Sequence, residues 1–209
     1  MKMKVITDIK PQQKTPTRCN IYLNNNFYCG LELETVMKFR LKVGQEIDTD
    51  KLDEIQCDSE RLKATEKALN FLSNRAKTKK QVKEYLQKKG YTEKTVSAVM
   101  EKLIEYKYVS DENYAEDYVR VYSSKKGKRL IAMELKQRGV LEDDMRLALD
   151  SIENEEESAL KIAEKYIKNK EKSRENLLKC YKYLISKGFD YDLAKQTVER
   201  IKTDEDDLF

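Results

Sequence analysis

Four basic side chains, Lys125, Lys126, Lys128 and Arg129, crowd around Gly127. Ammonium and guanidinium groups at that density suit phosphate oxygens or partner carboxylates, and such binding weakens steeply with salt. Lys136 and Arg138 lie further along the same stretch, and an earlier cluster holds Lys79, Lys80 and Lys83. The whole chain carries only +4, which hides strong segregation. From Arg61 to Gly90 ten basic residues face two acids, and from Arg120 to Arg138 seven face one. From Glu142 to Glu157 eight acids face one arginine. A solvated outer face explains any single lysine; the group around Gly127 is the sharpest candidate for a contact surface.

Other chemistry is narrow. There is no histidine, which removes the commonest general base, nucleophile activator and zinc ligand together. Cys19, Cys29, Cys57 and Cys180 form no CxxC pair and suit reduced thiols in a cytoplasmic protein. Cys19 and Cys29 could approach across a hairpin, but free thiols fit better. Metal nucleases use clustered carboxylates. The acids Glu142, Asp143, Asp144, Glu153, Glu155, Glu156 and Glu157, however, fall at helix ends and in a linker, with no apolar cradle. Asp143 and Asp144 instead suit the first turn of a helix, where the backbone dipole favours negative charge. No glycine-rich phosphate loop is present. We therefore expect no catalysis, no cofactor and no bound metal. No stretch is long and apolar enough for a membrane helix, and Met1–Ile6 lacks the apolar core of a signal peptide.

The elements that must position these side chains come from a repeat. Gly90, Gly139 and Gly188 stand 49 residues apart. Each is preceded four positions earlier by leucine (Leu86, Leu135, Leu184) and one position earlier by Lys89, Arg138 or Lys187. Each is followed by Tyr91, Val140 or Phe189. Downstream, the trios Val96, Met100, Leu103; Met145, Leu149, Ile152; and Ala194, Val198, Ile201 fall in the same register. Offsets of four and three put each trio on one helix face. Glycine after a basic last turn permits the left-handed residue that ends a helix. Thr92 and Asp190 can cap the next helix, whereas Leu141 has no capping group. Thr78 and Gln81 form a capping-box pattern. An earlier helix precedes each copy, with faces Ala64, Ala68, Leu69, Leu72; Tyr114, Ala115, Tyr118, Val119; and Leu160, Ala163, Tyr166, Ile167. Tyr114 and Tyr118 read as core, and Tyr106 and Tyr108 as packed in a turn between repeats. This strict spacing excludes disorder for most of a very polar chain.

The start of the chain differs. Val5–Ile9, Cys19–Leu23 and Phe27–Cys29 read as strands, with a turn at Asn24–Asn26. A short helix over Leu33–Phe39, a turn and short strand over Lys42–Ile47, and a long helix from about Thr49 follow. The expected fold is mainly α: three tandem three-helix repeats in an elongated array behind a small strand-rich extension. The expected divisions are 1–55 for the extension, 56–108, 109–153 and 154–203 for the repeats, and 204–209 for a solvated acidic tail. Because the register starts after residue 55, the repeats are expected to fold without it.

The second repeat reads Asp111-Glu-Asn-Tyr114-Ala115-Glu-Asp-Tyr118-Val119-Arg120, then Gly127-Lys-Arg129-Leu130-Ile131-Ala132-Met133-Glu134-Leu135-Lys136-Gln137-Arg138-Gly139-Val140. It resembles the signature of the RecX family, regulators of the bacterial RecA recombinase. Ala68–Arg75 and Leu86–Tyr91 are similar to that family's first repeat, and the resemblance spans roughly residues 60 to 203. Lys128 departs from it, since proline often follows the glycine. The resemblance implies an all-helical triple-repeat protein with no enzymatic activity of its own; the expected form is a monomer in the cytoplasm. It would bind the RecA–DNA filament and inhibit its ATPase and strand exchange, meeting single- and double-stranded DNA weakly or through the filament. The alternative reading is an autonomous DNA-binding protein acting through basic helical faces. Lys125, Lys126, Lys128, Arg129, Lys136, Arg138, Lys79, Lys80 and Lys83 are the contact candidates under either.

Overall fold

The computed structural model describes residues 2–203; the acidic tail lies outside the described residues. The chain divides into two compact units, Met1–Ser110 and Asp111–Phe209.

The first unit opens with β1 (Met3–Gln12), β2 (Thr15–Leu23) and β3 (Asn26–Glu32), then α1 (Leu33–Lys38) and β4 (Glu46–Asp48). The strands form an antiparallel sheet ordered β3-β2-β1-β4. Asn24 and Asn25 make the β2–β3 turn with φ of 49° and 65°, the left-handed region that asparagine tolerates. Cys19 pairs with Leu31 and Ile21 with Cys29, so the two cysteines are out of register, and all four thiols are free and buried. Burial pushes the Cys29 thiol well up.

The long helix α2 (Thr49–Ser73) follows, then α3 (Lys79–Lys88) and α4 (Glu93–Glu105). Leu52 near the start of α2 closes the sheet's core with Ile6, Ile21 and Leu31, while Ala64 and Ala68 join the core of the first repeat. One helix thus serves two cores. The seam between them is polar and fully bonded at Gln56, which is 0% exposed. Its amide donates to the carbonyls of Gly30 (2.6 Å) and Gly90 (2.9 Å) and accepts from the Thr92 N–H (2.5 Å). Glu60 accepts from the Arg18 guanidinium (2.5 Å) and the Glu32 N–H (2.7 Å). The Gly30 N–H donates directly to the Gly90 carbonyl at 2.8 Å. A boundary at residue 55 therefore falls inside α2, whose polar residues bond both to the sheet and to repeat one. Burial pushes the Tyr91 hydroxyl at this seam up to about 12.

The second unit holds repeat two, α5 (Asp111–Tyr122), α6 (Lys128–Gln137) and α7 (Glu142–Asp150), and repeat three, α8 (Glu155–Ile167), α9 (Arg174–Ser186) and α10 (Tyr191–Thr203). The periodic residues meet in two clusters, one around Ala115, Ile131 and Leu135, the other around Ala163, Leu184 and Phe189.

The repeat's sequence rule has a local cause. Gly90, Gly139 and Gly188 adopt φ of 85°, 84° and 88°. The residue after each glycine sends its N–H to the leucine carbonyl five positions back: Tyr91 to Leu86, Val140 to Leu135, Phe189 to Leu184. That is the helix-ending Schellman pairing, completed by an apolar contact between the same two residues. It explains the leucine four before the glycine and the apolar residue one after.

Three local expectations change. Thr92 makes no side-chain cap bond, and its hydroxyl meets that of Thr95 instead. Asp190 does cap, accepting from the Asp192 N–H. Helix α7 is short, so Ile152 packs from beyond its end. Tyr106 and Tyr108 stay 65% and 59% exposed rather than packed.

Candidate nucleic-acid interface

The Gly127 group sits where α5 gives way to α6, and the structure sorts its members. Gly127 has φ −76°, which any residue can adopt, yet it is buried. A Cβ there would fall closer than 3.0 Å to the Gly188 carbonyl and the Phe189 nitrogen. Its N–H donates to the Lys187 carbonyl (2.9 Å), and the Arg129 N–H donates to the Gly188 carbonyl (3.1 Å). The Lys128 N–H is taken by the Glu155 carboxylate at 2.8 Å. The free amides at the start of α6 are thus consumed by repeat three. The glycine therefore lets two repeats touch and leaves little backbone open to a phosphate.

The charges divide as well. Lys126 is half-buried and paired with Glu134 at 2.6 Å, over the Tyr122 ring at 4.4 Å. Burial draws its ammonium down, but hydrogen bonds to Glu134 and Tyr118 outweigh this and leave it raised. Burial likewise lifts the Glu134 carboxyl, and the same bonds hold it below its ordinary value. This charge is spent internally. Arg138 bonds the Glu134 carbonyl (2.8 Å) and lies over Tyr118. Tyr114 and Tyr118 are core, as their spacing suggests. Lys128 borders a cleft lined by Glu153, Glu155, Glu156 and Glu157. Arg129 is exposed and packs over Tyr191 at 4.9 Å. Lys125 and Lys136 are exposed and make no ion pair among the described residues. In the first unit Lys83 pairs with Glu93 at 2.5 Å, Lys79 is half-buried and Lys80 exposed.

Lys125 belongs to a groove that the sequence did not disclose. It is about 660 Å³ and lined from three segments: the α5–α6 turn, α8 and the end of α9. Lys161 and Lys165 come from α8, one turn apart, and Lys187 from the end of α9. Its floor is the stacked pair Tyr166 and Tyr183, ring centres 4.8 Å apart. Lys170 sits 3.2 Å over Tyr166 and Lys187 5.2 Å over Tyr183. The signal was split among residues up to 62 positions apart, between Lys125 and Lys187, so only the docking of repeats brings it together.

No group of three His, Cys, Asp or Glu among the described residues could hold a metal ion. No helix among them is long and apolar enough to cross a membrane.

Four family models match in chain order. The regulatory protein RecX N-terminal domain matches residues 4–48, and the first, second and third RecX three-helix domains match 64–103, 110–149 and 153–198. The chain belongs to the RecX family. A regulatory protein RecX of Leuconostoc mesenteroides is 39% identical over 98% of this chain and 79% of the relative. That of Clostridium perfringens is 32% identical over 97% and 99%, and that of Bacillus subtilis 31% over 98% and 80%. A crystal structure of regulatory protein RecX superposes with TM-score 0.62 at 27% identity, covering 94% of this chain and 99% of that one. RecX from Lactobacillus salivarius gives 0.62 at 28% identity, over 68% and 97%. The RecX fold, an antiparallel sheet followed by three three-helix domains, is the fold found here.

Proposed function

We propose that this protein is a non-enzymatic regulator of the RecA recombinase, acting as an inhibitor that binds the RecA–DNA filament and lowers its ATPase and strand exchange. The observation that carries this reading is the run of four RecX modules over residues 4–198, matched in order. The proposed partner is the filament, with DNA met through it, and the proposed working form is a monomer in the cytoplasm. Exposed Lys125, Arg129 and Lys136, with half-buried Lys128, form the proposed contact in repeat two, supported by Lys79, Lys80 and Lys83 in repeat one. Lys126 and Arg138, which sequence reasoning grouped with them, support the fold of repeat two through Glu134 and Tyr118 instead.

The test is recombinase ATPase on single-stranded DNA, with and without the protein. Inhibition at near-stoichiometric protein is the expected result; unchanged turnover with a filament-saturating amount refutes it. Charge reversal at Lys125, Arg129 and Lys136 should weaken filament binding. Exposed pairs contribute about 0.5–1 kcal/mol each, so three reversals amount to roughly tenfold to a hundredfold.

A further inference from the structure

We propose that the outer face of α1 and the turn after it, in the strand-rich part of the first unit, is a docking surface for an acidic amphipathic helix of a partner protein. The inference goes beyond the regulator reading and stands or falls independently of it.

The chain is very polar, with mean hydropathy −0.82, yet large apolar side chains stand exposed between Leu33 and Val43. Leu33 and Met37 are 44% and 70% exposed, and they lie one turn apart on the same side of α1. Phe39 follows at the helix end and Val43 in the next turn, 39% and 60% exposed. Clustered apolar exposure on a polar surface marks contacts with other molecules. Met37, unbranched and polarizable, suits varied partner side chains.

The fold holds these side chains out. Val36 and Leu41 are buried beneath them, and α1 ends in a Schellman closure. The Leu41 N–H donates to the Val36 carbonyl (3.0 Å) and the Arg40 N–H to the Met37 carbonyl (3.1 Å), with Arg40 in the left-handed region at φ 50°. The turn carrying Val43 is closed by the Gln45 N–H on the Lys42 carbonyl (3.2 Å). It is tied to β1 by bonds from the Gly44 N–H to the Ile6 carbonyl (2.8 Å) and from the Ile6 N–H to the Gln45 carbonyl (2.9 Å). The backbone of the surface is thus already ordered, and docking need not order it.

Charge names the partner. Lys38, Arg40 and Lys42 alternate with the apolar residues, are exposed and make no ion pair among the described residues. Glu34 is the one acid between Leu33 and Gly44. An apolar stripe flanked by carboxylates complements both features. The contact runs through side chains and not through a free strand edge, which selects a helix over an added strand. An anionic lipid surface fits less well, because recognition there takes clusters of about four to eight cations, and the six residues of α1 offer little apolar face to bury. Nucleic acid would leave Leu33, Met37 and Val43 without apolar partners.

The probe is a synthetic helical peptide of glutamate and leucine, about eighteen residues long, with leucine along one face. The full chain is isotope-labelled at its methionine methyls. Met37 reports the patch, and Met133, 51% exposed in repeat two, reports the basic repeats. The Met37 signal should shift saturably while Met133 stays in place. By anisotropy of the labelled peptide, Met37→Glu should weaken binding about tenfold. Lys38→Glu with Lys42→Glu should weaken it about fivefold to tenfold. All three side chains are exposed, so both variants should keep the parental circular dichroism. A peptide with serine in place of leucine should leave Met37 unmoved. The proposal is overturned if Met37 does not respond, if Met133 alone moves, if the serine peptide acts equally, or if either variant binds like the parent. An equal Met37 shift with anionic phospholipid vesicles or with an oligothymidylate overturns it as well.

Discussion

Replacing Gly127 with alanine separates two reasons for a glycine. Its φ of −76° and ψ of 163° suit alanine. If backbone freedom alone mattered, Gly127→Ala would stabilise the protein by about 0.4–1 kcal/mol through a less flexible unfolded chain. The structure says otherwise, because the added methyl would sit closer than 3.0 Å to the Gly188 carbonyl and the Phe189 nitrogen. Both are backbone atoms of a buried turn and cannot swing aside. Relief requires the α5–α6 turn to lift from repeat three. Lifting it breaks the bonds from Gly127 to Lys187 and from Arg129 to Gly188, each a net contribution of about 0.5–1.5 kcal/mol. Imperfect repacking adds to that, for a loss of roughly 2–4 kcal/mol. For a unit of this size that is a fall in Tm of about 10–25 °C in the transition of the second unit. Gly44→Ala is the control: at φ 86° with open space around it, it should cost only backbone strain, roughly 1 kcal/mol. The assay is thermal and urea unfolding by circular dichroism. A Gly127→Ala protein as stable as the parent would refute the docking argument.

Glu60→Ala removes the nearer and more buried of the two carboxylates that pair with Arg18, leaving Glu32 at 3.2 Å, and should cost about 3 kcal/mol by urea denaturation, whereas Arg18→Met with Glu60→Leu should recover much of that. A fragment starting at residue 56 should lose the melt of repeat one, because Gln56 and Glu60 then lack the Gly30, Glu32 and Arg18 groups they bond; an intact cooperative melt would show the extension to be dispensable. Lys126→Gln should flatten the acid limb of stability. Glu134 is depressed in the folded state, so its contribution is complete above the ordinary glutamate pKa and is lost as pH falls below it. The parent should therefore lose more Tm than Lys126→Gln between about pH 6 and 3, and parallel curves would count against the pair.

The sequence by itself determined the helices, their ends and the inward faces. Helix periodicity and Schellman ends are local: Leu135, Gly139 and Val140 lie within a few positions of one another, so their spacing states their contact. The sheet was legible for a similar reason, through short alternating segments and the Asn24–Asn25 turn. What lies between modules was not legible. Arg18, Gln56 and Glu60 carry no local signal of burial yet are buried, because partners that hold them lie as far as 26 to 42 positions away. Nothing near Gly127 in the chain marks it as a packing contact, since only the fold brings Gly188 against it. Lysines of one composition separated into spent and unspent charges: Lys126 lies beside Glu134, while Lys125, one residue away, turns into the groove with Lys165 and Lys187. A sequence pattern fixes which face of a helix is apolar, but the availability of a polar group depends on which neighbour arrives to neutralise it, and docking alone supplies that neighbour.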